Sequence, residues 1–320
     1  MVSDKTFIVI PNFNGRNCIK ECLVSVEKNG PREQVEVVVV DDGSTDGSVL
    51  MIETEFPWAK LVLNKDNLGF AESSNKGIVY ALKHGAEYVL LLNNDVEMVK
   101  NQTISKMIRI FESDNKIGIL GCKLLFPNGT INYAGGFANI KCVGHYGYEE
   151  PDKGQYEKVR SVDYVMGAAL MIRSKVIRKI GLLDEGFSPL YFEETDWCMR
   201  ARFGGYKVMY TPNPSMIHRC GFTTQTLRKN DVNFFIKKNW IRFWLLNFSV
   251  KDILKRVFFY EPREIIISYI VEPDPTKSFG QRIRKNAANN IILVTKAWVS
   301  NLLNLAEIVK KRIERFSQQL

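Results

Sequence analysis

Apolar runs alternate with segments of helical period along the N-terminal third of the chain, and most of the runs stop abruptly at polar residues. Thr6–Ile10 is short, β-rich and closed by Pro11, and Asn14-Gly15 then turns the chain. Cys18–Lys28 has helical spacing, with Ile19, Cys22, Leu23 and Val26 on one face. Val35–Val40 is apolar on both faces except at Glu36, as suits a parallel strand covered by helices. Leu61–Leu63 predicts a third strand, about Glu72–His84 a helix, and Glu87–Leu92 a fourth strand. This β-α-β-α-β-α-β order predicts a doubly wound α/β sheet or half-barrel.

In such a sheet ligands bind beyond the carboxyl ends of the strands, so the polar residues there are the candidate chemistry. The second strand ends in Asp41-Asp42-Gly43-Ser44-Thr45-Asp46, which can bond a nucleobase or ribose; Thr45 or Asp46 can also cap the next helix. The third is followed by Asn67-Leu68-Gly69, and the N–H groups at the helix start there could face phosphate, with Asn75 on the first two turns. The fourth ends in Asn93-Asn94-Asp95. One carboxylate with flanking amides can hold a divalent cation, although the stretch also reads as a strand with an Asx-type turn. Neither G-x-G-x-x-G nor G-x-x-x-x-G-K-[ST] occurs.

Further on, Asn101–Ser113 predicts a helix with Ile104, Met107, Ile108 and Phe111 toward the core, and Ile117–Phe126 short strands. Asn128–Gly154, rich in Gly, Asn and Tyr, predicts loops and a hairpin that cover or shape a binding pocket. Gly167 lies among small residues, which permit close approach of a substrate or tight packing. Glu193, Glu194 and Asp196 crowd three acids at a predicted helix start. One or two would satisfy the helix dipole; three repel, and crowding raises a carboxyl toward a useful base value. Arg200 stands four residues after Asp196 and can pair with it. His218 follows a strand near Val208–Tyr210, whereas His84 and His145 read as helix-end and loop residues.

Composition adds a division. The chain has 320 residues, is 45% apolar and carries a net charge of +9. Gln225–Leu320 holds 18 Lys/Arg against 8 Asp/Glu, so the first 224 residues are near neutral and the basic excess belongs to the tail. There Phe234–Phe248 mixes aromatics with Lys237, Lys238 and Arg242, and Lys255–Tyr260 and Ile291–Val309 continue the pattern. The expected tail is helical and amphipathic, packed on the catalytic part or another subunit, or lying on an anionic membrane. The six cysteines form no C-x-x-C pair, and three histidines are too few for a His-rich metal site. No signal peptide opens the chain and no run of 18 uncharged apolar residues occurs, so the expectation is a cytoplasmic protein without a spanning helix, peripheral on the inner face of the cell membrane. No nucleic-acid-binding motif is present.

Ile10-Pro-Asn-Phe-Asn-Gly15, Val40-Asp-Asp-Gly-Ser-Thr-Asp-Gly-Ser48, Asn67-Leu-Gly-Phe-Ala71 and Leu92-Asn-Asn-Asp95, in this order, resemble glycosyltransferase family 2 and, more narrowly, its rhamnosyltransferase-like branch. The resemblance covers roughly Thr6–Gly221. It implies a GT-A, Rossmann-like nucleotide-sugar-binding domain over 1–224, with a donor half to about residue 100 and an acceptor half beyond it, followed by a basic helical extension over 225–320. The implied reaction is an inverting transfer from a nucleoside-diphosphate sugar, such as dTDP-rhamnose or a UDP-sugar, to a hydroxyl of a saccharide or lipid-linked glycan, assisted by Mn2+ or Mg2+. The expected nucleotide-binding set is Pro11, Asn14, Asp42, Asn67, Gly69, Asn75 and Asn94, with Asp42 meeting the base. Asp95 would be the metal carboxylate of the family's D-x-D signature, whose first position is here Asn93, and His218 would join it. Glu194 falls where the family has its Asp base, with Asp196 as second candidate and Gly167, Glu193 and Arg200 shaping or supporting the acceptor side. Because Asn93 and Glu194 depart from the commonest pattern, a nucleotide-sugar-binding protein without catalysis is the alternative. A processive polysaccharide synthase is disfavoured by the absence of Q-x-x-R-W, and a homo-oligomer stays open.

Overall fold

The computed structural model describes residues 5–29, 35–219, 229–263 and 279–317. The chain divides into two compact units, Met1–Ala138 with Val143–Thr226, and Asn139–Cys142 with Leu227–Leu320. The expected boundary at 224/225 lies outside the described residues.

The first unit begins as the apolar runs predict. β1 (Thr6–Asn12), α1 (Arg16–Asn29), β2 (Val35–Asp41), α2 (Ser48–Glu55), β3 (Lys60–Leu63), α3 (Phe70–Lys83) and β4 (Tyr88–Leu92) alternate, and the strands pair in parallel in the order β3-β2-β1-β4. Phe7–Ile10, Val37–Val40 and Val89–Leu92 are buried between the helices, and α1 turns Ile19, Cys22, Leu23 and Val26 inward. Gly77 lets α3 lie flat on this sheet, since a Cβ there would stand 2.3 Å from a methyl of Val9 and 3.0 Å from one of Val40.

After β4 the sheet becomes mixed. β5 (Val96–Met98), α4 (Thr103–Ser113), β6 (Ile117–Leu125), β7 (Ile131–Tyr133), β8 (Gly136–Ala138), β9 (Val143–His145), β10 (Arg160–Ser161), β11 (Ala169–Arg173), α5 (Ser174–Ile180), α6 (Glu193–Phe203) and β12 (Lys207–His218) complete the unit. The order is β10-β12-β6-β11-β4-β1-β2-β3, with β5 on β12 and β7 on β6. β11 runs antiparallel to β4 and to β6, whereas β12 runs parallel to β6.

Two elements differ from the sequence expectation. Ile117–Leu125 is one nine-residue strand rather than short pieces. Its glycines look like breaks, but a Cβ at Gly118 would lie 2.7 Å from Tyr206 and one at Gly121 2.5 Å from Val165, so both serve packing. The strand near Val208–Tyr210 continues through Pro212 and Pro214 to His218, because the register against β6 shifts between Thr211 and Ser215 and spares the prolines a ladder bond.

The second unit holds α7 (Lys229–Asn247), α8 (Val250–Lys255), a π-turn at Arg256–Tyr260, α9 (Phe279–Leu303) and α10 (Leu305–Ser317). Trp240, Ile241, Phe243, Trp244 and Leu246 of α7 are buried, where the helix packs on α9 and α10. Arg242 clamps α10 through two bonds to Glu307, at 2.9 and 2.8 Å. No single described helix is long and apolar enough to cross a membrane. Only Ile291–Leu303 and Leu305–Ser317 together have the necessary length and composition, and the chain bends by 68° between them.

The packing of α3 on the sheet makes a direct test. Gly77→Ala should destabilise the first unit by about 1–3 kcal/mol, read as a lower urea midpoint at unchanged slope.

Candidate functional site

The polar ends of β1, β2 and β4 meet in a buried network. Asn12 Nδ2 donates to Asp41 Oδ2 at 2.8 Å and to Ser48 Oγ at 3.1 Å, and Asn94 Nδ2 donates to Asn12 Oδ1 at 2.8 Å. Gly15 lies against the Asn12–Asn94 bond; a Cβ there would fall 2.2 Å from Asn12 Oδ1 and from Asn94 Nδ2. Asn94 thus ties β4 to β1. Asn14, with φ +48°, accepts the Thr45 N–H at 2.8 Å and donates its own N–H to Ser44 Oγ at 2.8 Å, joining the loops after β1 and β2. Pro11 is the penultimate residue of β1, opposite Val40. At the start of α2 the N-cap is Gly47 and not Thr45 or Asp46, although Asp46 Oδ1 accepts the Ser48 N–H at 3.0 Å.

Asp42 is buried and holds the loop after β3. Its Oδ2 accepts from Leu68 N (3.0 Å) and Gly69 N (2.9 Å), and its Oδ1 accepts from Asn64 Nδ2 (2.9 Å). The N–H groups expected to face phosphate are therefore turned to Asp42, and Phe70 N donates to Pro189 O at 3.3 Å. Gly69 serves close packing instead: at φ +86°, a Cβ would stand 2.9 Å from Ser188 Oγ. Asn67 Oδ1 accepts the Gly69 N–H at 3.0 Å, and Asn67 is exposed.

Asn75 is corrected from nucleotide contact to clamp. It is buried, donates to Leu183 O (3.0 Å) and Glu185 Oε1 (2.9 Å), and accepts from Leu183 N (3.0 Å), which leaves it no group for a nucleotide.

At the end of β4 the turn Asn93–Asp95 leads into β5, which pairs antiparallel with the last residues of β12, His218 opposite Val96. This pairing seats His218 beside Asp95. His218 Nε2 lies 3.3 Å from Asp95 Oδ1, and both side chains are buried. His218 Nδ1 donates to Asn132 Oδ1 at 2.9 Å, so Nε2 is the ring nitrogen that faces the carboxylate. Asp95 Oδ1 is buried and has no hydrogen-bond partner, as is the amide oxygen of Asn93 on the same turn. An imidazole nitrogen and a carboxylate oxygen this close suit a proton or a metal cation between them, and both are groups that bind a divalent metal. Among the described residues no third His, Cys, Asp or Glu completes a metal set. The remaining positions would fall to water and substrate phosphate, as hard cations with few protein ligands require.

A backbone bond joins this turn to the second constellation: Asn93 N donates to Ala168 O at 3.0 Å, beside Gly167. Gly167 faces Glu194; a Cβ there would lie 3.5 Å from Glu194 Cβ and Cγ and 3.6 Å from the Phe70 ring. Glu193 and Glu194 open α6 directly after Tyr191 and Phe192, both at φ +76°, a left-handed conformation that bulky side chains rarely adopt and that persists where the surroundings impose it. Burial pushes the Glu194 carboxyl up to about 7, against the bonds to the backbone N–H groups of Glu194 and Thr195 that lower it. Burial, more than the crowding of acids, is the cause.

Asp196 is not a base. It is fully buried and accepts from Arg200 Nε at 2.9 Å, while Arg200 donates to Ile180 O (2.5 Å) and Leu182 O (2.8 Å). With Trp197 Nε1 on Gly181 O at 2.8 Å, this pair locks α6 to the 180–182 turn. Asn12, Asn64 and Asn132 are site residues that the sequence reading did not single out. Asn12 sits inside a quoted motif, but nothing in the sequence marks Asn64 or Asn132.

The family model described as Glycosyl transferase family 2 matches residues 7–181. Protein y4gI of Sinorhizobium fredii is 26% identical over 219 residues, covering 66% of this chain and 24% of that protein. The dTDP-rhamnosyl transferase RfbF of Shigella flexneri is 27% identical over 190 residues, covering 59% of this chain and 62% of that protein. The chain thus spans less than two thirds of either relative. In fold it is similar to the mannosyltransferase PcManGT from Pyrobaculum calidifontis, in complex with GDP-Man and Mn2+, at a TM-score of 0.54 and 13% identity over 98% of this chain and 85% of that one.

The role of Asn132 is testable without turnover. Asn132→Ala releases the His218 ring and should weaken Mn2+ binding by about 10–100-fold in calorimetry, as loss of a partner that orients a metal ligand does elsewhere. Asp95→Asn should abolish it.

Proposed function

The chain belongs to glycosyl transferase family 2 and has the GT-A fold, and from that premise we propose that it transfers a sugar, with inversion, from a nucleoside diphosphate to a glycan hydroxyl. The observation that carries this reading is a convergence at the carboxyl end of β4. Asp95, with His218 beside it, stands on the turn after β4, and Glu194, its carboxyl raised to about 7, faces Gly167, the neighbour of the Ala168 whose carbonyl accepts the Asn93 N–H.

Each part of an in-line displacement has a group suited to it. Glu194, half-buried and with its carboxyl raised to about 7, accepts the proton of the acceptor hydroxyl as its oxygen attacks the anomeric carbon. The bond from that carbon to the diphosphate breaks on the opposite face, and its electron pair leaves with the phosphate oxygen. A divalent cation, Mn2+ or Mg2+, held by Asp95 and His218 would neutralise the charge gathered on the departing diphosphate. Pro11, Asn14 and Asn67 line the nucleotide side. Asp42 acts there by fixing the 67–69 loop, with lone-pair capacity left on Oδ1 for a base N–H. Gly167 presents bare backbone beside Glu194, on the side where the acceptor would approach.

The relatives support the class of donor. One is a dTDP-rhamnosyl transferase, and the fold neighbour carries a sugar nucleotide and Mn2+. A deoxyhexose on dTDP is therefore the first donor to test, and a saccharide or lipid-linked glycan the acceptor.

Two measurements check the base. Glu194→Gln should lower transfer by about 10²–10⁴-fold with nucleotide binding retained. In the wild type, kcat/KM should rise with pH and level off above about 7, because the carboxylate is the active form and is lost as pH falls through that value. Unchanged transfer by the Gln variant would remove Glu194 from the mechanism, while donor binding without transfer in the wild type would favour a binding protein.

A further inference from the structure

The helix that begins at Val250 carries an exposed apolar stripe. Val250 is 62% exposed, Leu254 51%, Phe258 68% and Phe259 70%. The first three recur every fourth residue, and the π-turn at Arg256–Tyr260 adds Phe259 at the end. The opposite side of the same helix is fixed in the unit. Arg256 is buried between the rings of Trp240 and Trp244, at 5.3 and 5.8 Å, and donates to Glu261 Oε2 at 3.2 Å. The stripe is thus held outward by its own anchor and does not serve the core.

The charges beside it are basic. Lys251, Lys255 and Arg263 are exposed along this helix, Glu261 is buried in its ion pairs, and the half-buried Asp252 is bonded to Ser249 Oγ at the helix start. Four large apolar side chains with a basic border match a surface that is greasy within and negative at its rim. A second copy of this chain fits less well, because Gln225–Leu320 carries a net +10 and two such segments repel.

We infer that the Val250–Phe259 stripe seats this unit in the headgroup layer of an anionic bilayer, with Phe258 and Phe259 inserted and Lys251, Lys255 and Arg263 on lipid phosphates. The helix lies in the interface plane.

Co-flotation of the full chain with vesicles tests this. Wild type should float with vesicles of phosphatidylcholine and phosphatidylglycerol and about tenfold less with pure phosphatidylcholine. Phe258→Ser/Phe259→Ser should lower flotation about tenfold while leaving calorimetric nucleotide binding unchanged, since both side chains are solvent-facing. Lys251→Glu/Lys255→Glu should lose the preference for anionic lipid. Equal flotation of wild type and the Phe double variant would overturn the inference. So would a wild-type dimer, seen by light scattering, that the double variant makes monomeric without any vesicle binding.

Discussion

A carboxylate oxygen and an imidazole nitrogen, both buried and held 3.3 Å apart, need a positive charge between them, a proton or a metal cation. The rest of the first unit can be read as the apparatus that imposes this contact. β5 follows Asp95 directly and pairs with the end of β12, which sets His218 opposite Val96 and so beside Asp95, after the register of β12 has shifted past two prolines. Asn132, from β7, fixes which ring nitrogen faces Asp95. None of these choices is favoured locally. They hold because β6, β11 and β12 are buried along most of their length, so that a slip of one residue would turn a whole apolar face to water.

Around that pair most of the polar groups keep one another in place. Asn12, Asp41 and Asn94 spend their bonds on one another across three strand ends. Asp42 spends most of its own on a loop, and Asn75 spends all of its own on another. Such a network is costly if one member is missing, because each removed partner leaves a buried group unsatisfied. Glu194 stands apart: its environment withholds solvation more than its bonds to the backbone N–H groups of Glu194 and Thr195 make up for, and two left-handed residues precede it.

The order of elements to β4, the faces of α1 and α4 and the polar strand ends were legible in the sequence, because strands buried on both sides and amphipathic helices leave strong periodic marks. The motifs located the site residues but not their partners. Asp196 and Glu194 look alike as letters; only the fold shows that Arg200 neutralises one and that burial raises the other. Asn75 lies on the helix turn the sequence indicates, yet the 183–185 segment that occupies it comes from more than a hundred residues away. Asn132 had no mark at all, since an asparagine in a loop-rich stretch is ordinary until a histidine from another strand meets it. Long-range pairing, not local propensity, decides these roles.

The pairing of β5 with β12 also sets a timetable. Asp95 leaves the ribosome with the parallel half of the sheet, but its imidazole partner is the last residue of the last strand of the unit. A stalled or truncated nascent chain therefore carries the network of β1, β2 and β4 and lacks the Asp95–His218 pair. The pair therefore depends on the whole span from Asp95 to His218, and a break anywhere in that span removes it.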